Sequence, residues 1–277
     1  MDYQRRFGGV ARLYGQGSLK RFAQSHVAVI GVGGVGSWAV EALARSGIGQ
    51  LTLIDLDHVA ESNVNRQLPA LDGEFGKLKV AVMAQRVLAI NPDCRVNPVE
   101  AFIQPDSLTS ITQGGFNYVL DCIDNFRIKA ALIACCKRNK IPLITVGGAG
   151  GQTDPTKIRL ADLSRSEQDP LLSKTRKLLR REYGFPTNLK RRFDLPCVYS
   201  LEQQRYPDKQ GEICLERTHD TEGSLNCAGF GSAMTVTASF GLIAVSHVLK
   251  QLAVTFKSES TTPSPSKLFS SKSDAYY

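Results

Sequence analysis

A short β-branched run, Val27 to Ile30, feeds straight into Gly31, Gly33, Gly34 and Gly36, and an Ala/Leu-rich helical pattern then runs to Gly47. Gly31, Gly33 and Gly36 stand in G-x-G-x-x-G spacing, the strand-to-helix fingerprint of a βαβ nucleotide-binding unit. Glycine tolerates positive φ in the turn and lets bare backbone N–H groups approach a phosphate, while the helix N-terminus adds partial positive charge. A second strand pattern, Leu51 to Ile54, precedes Asp55. That acid sits about 20 residues beyond the glycines, where it can accept from ribose hydroxyls. Taken alone, this unit fits NAD, FAD or ATP equally.

The residues after Asp55 discriminate. Asn63, Asn65, Arg66 and Gln67 form a polar loop, Lys79 opens an amphipathic stretch to Ile90, and Tyr118 to Asp124 reads as a buried strand ending in Asp121 and Asp124, followed by Asn125. An acid at the carboxyl end of a parallel strand lies in the crevice where doubly wound sheets bind ligands. An Arg, a Lys and an Asp converging on one phosphate site suit ATP with magnesium: the cations neutralise the triphosphate, and the carboxylate holds a hard cation that prefers oxygen. Hydride transfer needs none of these groups, which leaves a plain dinucleotide oxidoreductase as the last of the readings.

With these motifs the chain resembles the ATP-dependent adenylating enzymes related to ubiquitin-activating enzymes, including those of molybdopterin and thiamine synthesis. The likeness runs from roughly Arg6 to Gly151 and rests on GVGGVG, LTLIDLD, NVNRQ, the G-x-x-K from Gly76 to Lys79, INPD and DCIDN, in that order. It implies Asp55 on the ribose, Asn63, Arg66 and Lys79 on the phosphates, and Asp124 on magnesium, with Asn125 beside it. It further implies a homodimer in which Arg12 reaches the triphosphate of the neighbouring subunit; otherwise Arg12 is a surface arginine capping a helix.

RFGGVARLYG, VGGAGGQTDPTKI, QDPL and LNCAGFGS extend the likeness to about residues 6 to 253. They are similar to one branch of that superfamily, the tRNA threonylcarbamoyladenosine dehydratases, which cyclise a modified adenosine next to the anticodon. The resemblance implies that ATP activates the threonyl carboxylate as an acyl-adenylate, releasing pyrophosphate, and that a nucleophile within the same arm then closes a ring and expels AMP. Cys227, inside LNCAGFGS, is the cysteine that could intervene as a nucleophile.

Charge agrees with an anionic partner. The chain of 277 residues has a formal net charge of +8. Lys174, Arg176, Lys177, Arg180, Arg181, Lys190, Arg191 and Arg192 cluster together, interleaved with Leu178, Leu179, Tyr183, Phe185 and Phe193. Such a run is either a solvated helix face or, as the resemblance favours, a tRNA contact, since phosphate neutralisation dominates nucleic-acid affinity.

Strand patterns at Arg95 to Phe102, Tyr118 to Asp124 and Pro142 to Gly147 alternate with helical patterns at 77–90, 105–113 and 127–138. The expected fold class is therefore α/β, a doubly wound, mostly parallel sheet built on a Rossmann-like nucleotide-binding unit, with a smaller irregular α+β segment. The expected division is an adenylation domain at 1–151, a substrate- and tRNA-facing segment with a closing apolar helix at 152–256, and a Ser/Thr/Pro-rich tail at 257–277 expected to be disordered. The stretch from Gly223 to Leu249 holds no Asp, Glu, Lys or Arg. Its Gly, Ala, Ser and Thr content favours a buried helix, on the sheet or at a dimer interface, over a membrane span.

Seven cysteines without a secretory leader pattern imply reduced thiols and a cytoplasmic protein. No C-x-x-C occurs, so the paired-cysteine zinc site of some adenylating relatives is not expected. Cys94, Cys135 and Cys136 read as structural; Cys197 and Cys214 are weaker candidates than Cys227. The four histidines, His26, His58, His219 and His247, lack metal-ligand spacing. The rival enzymatic reading is an adenylyltransferase acting on the C-terminus of a ubiquitin-like sulfur-carrier protein, with a sulfur-transfer partner. The non-enzymatic one is a nucleotide-sensing RNA-binding module.

Overall fold

The computed structural model describes residues 2–103, 108–208, 210, 212–215 and 231–254. Seven strands form one sheet in the order β3-β2-β1-β4-β5-β7-β6. They are β1 (His26–Ile30), β2 (Gln50–Ile54), β3 (Arg95–Val99), β4 (Tyr118–Asp121), β5 (Leu143–Val146), β6 (Ile158–Asp162) and β7 (Pro196–Ser200), with a separate hairpin of β8 (Tyr206–Pro207) and β9 (Ile213–Cys214). All neighbouring pairs in the large sheet are parallel except β6 with β7. The chain leaves β1 for β2 on one side and later returns to place β4 on its other side. The carboxyl ends of β1 and β4 thus frame the reversal point at which doubly wound sheets take ligands.

Helices cover both faces. One core layer joins the sheet to α3 (Gly36–Arg45), α4 (Lys79–Ile90) and α8 (Met234–Val254) through Val40, Leu43, Met83, Val87, Phe240 and Val248. The other joins it to α5 (Leu108–Gln113), α6 (Phe126–Arg138) and α7 (Pro170–Glu182) through Ile111, Leu132, Ile133, Leu172 and Leu179. At the N-terminus, α1 (Tyr3–Tyr14) and α2 (Gln16–Gln24) pack together through Phe7, Ala11 and Leu19.

Several expectations are displaced by this architecture. The strand expected to reach Asp124 ends at Asp121, because the Asp121 carboxylate turns back to accept the Ile123 N–H at 3.1 Å and the chain leaves the sheet there. Asp124 therefore sits on the loop between β4 and α6. The boundary at Gly151 falls inside the sheet: β7 is a five-residue run with four buried positions, and only a place beside β5 covers both its faces. The apolar run expected from Gly223 starts its described helix at Met234. Long and apolar enough to cross a membrane, α8 nevertheless buries Val236, Phe240, Ala244, Val245 and Val248 against α3 and the sheet. Gly241 makes that approach possible, since a Cβ there would lie 2.6 Å from the Val35 carbonyl oxygen. The tail at 257–277 lies outside the described residues.

Candidate active site

The glycine loop is shaped by contacts that exclude side chains. Gly31 has φ +86°, and a Cβ on it would meet the Cys122 carbonyl oxygen at 2.9 Å. A Cβ on Gly36 would fall 1.8 Å from the Gly31 carbonyl oxygen. The loop between β1 and α3 is thus pressed against the end of β4, and its Gly31 N–H donates to the Ile54 carbonyl at 2.9 Å. Gly33 and Gly34 lie against Gln67 and Arg66.

Asp55, at the end of β2, accepts from Val32 N–H at 2.6 Å through one carboxylate oxygen and from Asp57 N–H at 2.8 Å through the other. It ties the glycine loop to β2 and keeps further lone pairs for ribose hydroxyls. Asn63 is buried in a 3-10 turn; its carbonyl oxygen accepts from Ala60 N–H at 3.2 Å, and its NH2 stays free to donate. Arg66 stands beside it, its guanidinium on the Ser62 carbonyl and the Asn65 side chain at 2.8 Å each. The indole N–H of Trp38 donates to the Arg66 carbonyl at 2.9 Å and so clamps the polar loop to α3.

Lys79 is buried at the first residue of α4 and pairs through Nζ with Asp57 at 2.8 Å. Asp124 opens to solvent at the lip of the crevice. Desolvation by the crevice walls lifts its carboxyl above the usual aspartate range, with Asp57 and Asp55 pushing the same way and Lys129 opposing. Asn125 has a structural task, accepting from Arg127 and Ile128 N–H as the N-cap of α6. Three carboxylates, Asp55, Asp57 and Asp124, thus share the field of one crevice. Among the described residues no group of three acids, histidines or cysteines could hold a metal alone. One carboxylate completed by phosphate oxygens is instead the donor set magnesium usually takes, so Asp124 fits the ion.

Beneath the crevice floor Lys129 and Asp121 are both fully buried and paired at 2.8 Å, and Thr145 Oγ1 lies within hydrogen-bond reach of each. Asp121, at the strand end, is therefore a structural anchor and not a ligand group. Burial pushes the Cys122 thiol to about 12 and that of Cys136 likewise to about 12, while Cys94 rises to about 11. Cys197 is buried completely, and desolvation raises it well above the ordinary thiol range. Cys227 lies outside the described residues.

These features have counterparts in known proteins. The ThiF family model matches residues 3–272. The chain belongs to the ThiF family. Within it, the chain is 54% identical over 252 residues to a tRNA threonylcarbamoyladenosine dehydratase of Haemophilus influenzae, covering 91% of this chain and 94% of that one. The solved structure of the E. coli tRNA N6-threonylcarbamoyladenosine dehydratase in complex with ATP superposes with TM-score 0.81 at 49% identity, over 90% of this chain and 94% of that one. A molybdopterin-synthase adenylyltransferase of Salmonella typhimurium is 40% identical over 131 residues, 47% of this chain.

The ThiF crevice also gathers residues that the sequence did not single out for the site. Gln67 is buried with its carbonyl oxygen unpartnered, against Gly33. Thr237, on α8, is buried with an unpartnered hydroxyl, and its methyl would lie 3.5 Å from a Cβ on Gly34. Gln67 was visible in NVNRQ; nothing in an uncharged stretch marks Thr237.

Along the flank of this ThiF fold, α7 presents the basic run. Its apolar spacing turns Leu171, Leu172, Thr175, Leu178 and Leu179 inward, which leaves Lys174, Lys177 and Arg181 exposed. The interleaved aromatics are core: Phe185 and Phe193 are buried edge to face, ring centroids 5.0 Å apart, so neither is available to stack on a base. Asp169, the N-cap of α7, accepts from Gly148 N–H at 2.9 Å, placing Lys174, Arg176 and Lys177 near the carboxyl edge of the sheet. Arg180, Arg181, Lys190, Arg191 and Arg192 lie toward the opposite edge, where β7 begins. The 13-residue helix spans about 20 Å, so the basic run extends from one edge of the sheet to the other. Arg12 is exposed on α1 and makes no hydrogen bond to the described residues.

Proposed function

We propose that the protein catalyses the ATP-dependent dehydration of threonylcarbamoyladenosine in tRNA through a carboxyl-adenylate. The observation that carries this reading is an intact ATP crevice, Asp55, Asn63, Arg66, Lys79 and Asp124, in a chain that matches the dehydratases over nine-tenths of its length. The likeness to the molybdopterin enzyme spans only 47% of this chain, which weighs against a sulfur-carrier substrate.

Hydroxide is a poor leaving group at neutral pH, so the carboxylate must first be activated. An oxygen of the threonyl carboxylate attacks the α-phosphorus of ATP, and pyrophosphate departs. The glycine-loop amides and Asp55 hold the nucleotide, while Arg66 and Lys79 offset the charge that develops on the phosphoryl oxygens. Lys79 comes from the α4 N-terminus already desolvated, and exchanging Asp57 for a phosphate oxygen releases it for this task. Asp124 would hold magnesium, which would supply positive charge against the phosphates. A nucleophile of the same arm then attacks the activated carbonyl carbon, the acyl–oxygen bond breaks and AMP leaves, for a net loss of one water from the nucleoside. Ring closure is intramolecular, so holding the arm in place supplies much of the second step.

The exposed guanidinium of Arg12, with no hydrogen bond to the described residues, supports a homodimer in which it reaches the neighbouring triphosphate. The basic surface of α7 supports tRNA as the partner. A cytoplasmic location is supported by that substrate, and α8 commits its apolar face to α3 and the sheet.

The direct test is mass spectrometry of nucleosides from tRNA incubated with the protein, ATP and magnesium. Threonylcarbamoyladenosine should lose one water only when ATP is present. An unchanged nucleoside, with a protein that binds ATP, overturns the reading.

A further inference from the structure

One strand along from the nucleotide crevice, on the far side of Gly147 and Gly148, lies a second cavity of about 330 Å³. This volume falls within the range of small-ligand sites, roughly 300–1,000 Å³. Its wall is mostly polar: Gln168 and Asp169 just before α7, and Ser173 and Arg176 on its first turns, face Gln203, Gln204 and Tyr206 from the chain after β7. Gln204 is buried, donating to the Gly150 carbonyl at 3.2 Å and accepting from the Tyr206 hydroxyl at 3.4 Å.

Arg176 is the unusual member. It is half-buried, its guanidinium donates to the Ser166 hydroxyl, and it forms no ion pair among the described residues. A guanidinium carries five N–H donors in a planar fork matched to carboxylates. Burial lowers its pKa, with Arg180 adding to the effect and Asp169 opposing it. The one carboxylate on the wall, Asp169, is spent on the Leu172 and Gly148 N–H groups, so a half-buried guanidinium with most of its donors unspent among the described residues is a receptor for an anion. Phosphate of the nucleotide is already provided for at β1 and β4.

We infer that this cavity receives the threonylcarbamoyl arm of the substrate, with Arg176 taking one oxygen of the threonyl carboxylate and the glutamine side chains meeting the carbamoyl group. The inference rests on the dehydratase reading and names where that substrate binds. Asp169, shared by α7 and the Gly147–Gly148 turn, fixes this cavity relative to the nucleotide site.

The test compares binding of one tRNA with and without the threonylcarbamoyl group, using wild type, R176Q, R176K and K177Q. Wild type should prefer the modified tRNA, and R176Q should lose that preference about tenfold, the loss expected for a charge-assisted hydrogen bond. R176K, which keeps charge but not the fork, should retain part of it, and ATP affinity should stay at the wild-type value. K177Q, altered on the exposed face of the same helix, should weaken both tRNAs alike. Equal weakening of both tRNAs by R176Q would make Arg176 a backbone-phosphate contact and overturn the inference, as would no change.

A second measurement needs no variant. Free threonylcarbamoyladenosine should inhibit the wild-type reaction, and its methyl ester, without the carboxylate charge, should not. Equal inhibition by both overturns the assignment. Failure of wild type to dehydrate tRNA would instead strike the underlying reading.

Discussion

The nucleotide crevice and the α7 flank meet at Gly147 and Gly148, yet they are built in opposite ways. In the crevice, most of the frame is one continuous segment from Gly31 to Gln67, in which the glycine loop, Asp55 and the polar loop follow one another, with Lys79, Asp124 and Thr237 brought to it from further along the chain. On the flank, the cavity and the turns beside it join three stretches of chain that come from separate parts of the sequence. Asp169 reaches back to Gly148, Gln204 to Gly150, and Glu202 accepts from Thr153 and Asp154 N–H at 3.0 and 2.8 Å. A site for a common ligand is thus written in local chain geometry. The region that distinguishes one substrate from another is assembled from distant residues on a strand pair added to the sheet edge.

Breaking each region separately should give different signatures, and the largest belongs to the crevice. Asp124→Ala should lower pyrophosphate release by about 10²–10³, as expected when one group stabilising developing charge is removed. Because Asp124 lies on a solvent-facing loop, thermal unfolding should match wild type. A variant that keeps its activity would sink the magnesium assignment.

The buried pair under the floor should behave the other way, with stability as the readout. Lys129→Met leaves the Asp121 carboxylate fully buried and uncompensated, which should cost about 3–5 kcal/mol in denaturant unfolding. Combining it with Asp121→Asn removes the stranded charge and should recover a large part of that loss. Equal stability of Lys129→Met and wild type would mean that Asp121 is neutral in the native chain.

These two experiments also separate what could be read from the chain alone. The glycine spacing, Asp55 and the polar loop are legible because each acts through its immediate neighbours. Asp124 was visible as an acid after a buried strand, but not the strand's early end, which depends on the Asp121 side chain turning onto Ile123. Lys129 was invisible: a lysine in a helical pattern reads as exposed, and only its meeting with Asp121 and Thr145 across two strands makes it core. Phe185 and Phe193 show the same dependence on distant packing. Among arginines they resemble a stacking surface, yet the turn after α7 folds both inward, and Arg180 packs over the Phe193 ring at 5.1 Å.

The link between the regions gives an intermediate effect. Asp169 presents one oxygen to Leu172 N–H and the other to Gly148 N–H, both at 2.9 Å. Asp169→Asn turns one of these acceptors into a donor, and the conflict should destabilise the fold by about 1–3 kcal/mol. Burial raises the Asp169 pKa in the folded state, with the Leu172 and Gly148 amides and Lys129 opposing. Its contribution to stability is therefore greatest below the unfolded carboxylate pKa and declines as pH rises through the folded value. The asparagine variant should lack this component of the pH–stability curve. If Asp169 ties the cavity to the nucleotide site, kcat for dehydration should fall while the KM for ATP barely moves. A rise confined to the ATP KM would place Asp169 with the crevice.

The smallest effect concerns the acid limb of the activity profile. Asp124 must be ionised to hold a cation, and desolvation, with Asp57 and Asp55, raises its carboxyl, so pyrophosphate release should decline with falling pH at a point above the ordinary aspartate range. Asp57→Asn removes one of those carboxylates and also frees Lys79. Both changes favour ionised Asp124, so the acid limb should move to lower pH. The flank offers the control: Lys190→Gln, exposed and about 20 Å from the crevice by the length of α7, should leave the limb in place. If Lys190 meets tRNA phosphate, that variant should instead reduce the salt dependence of binding by about one counterion. A limb shifted equally by both variants would show that long-range charge, and not the crevice carboxylates, sets the ionisation of Asp124.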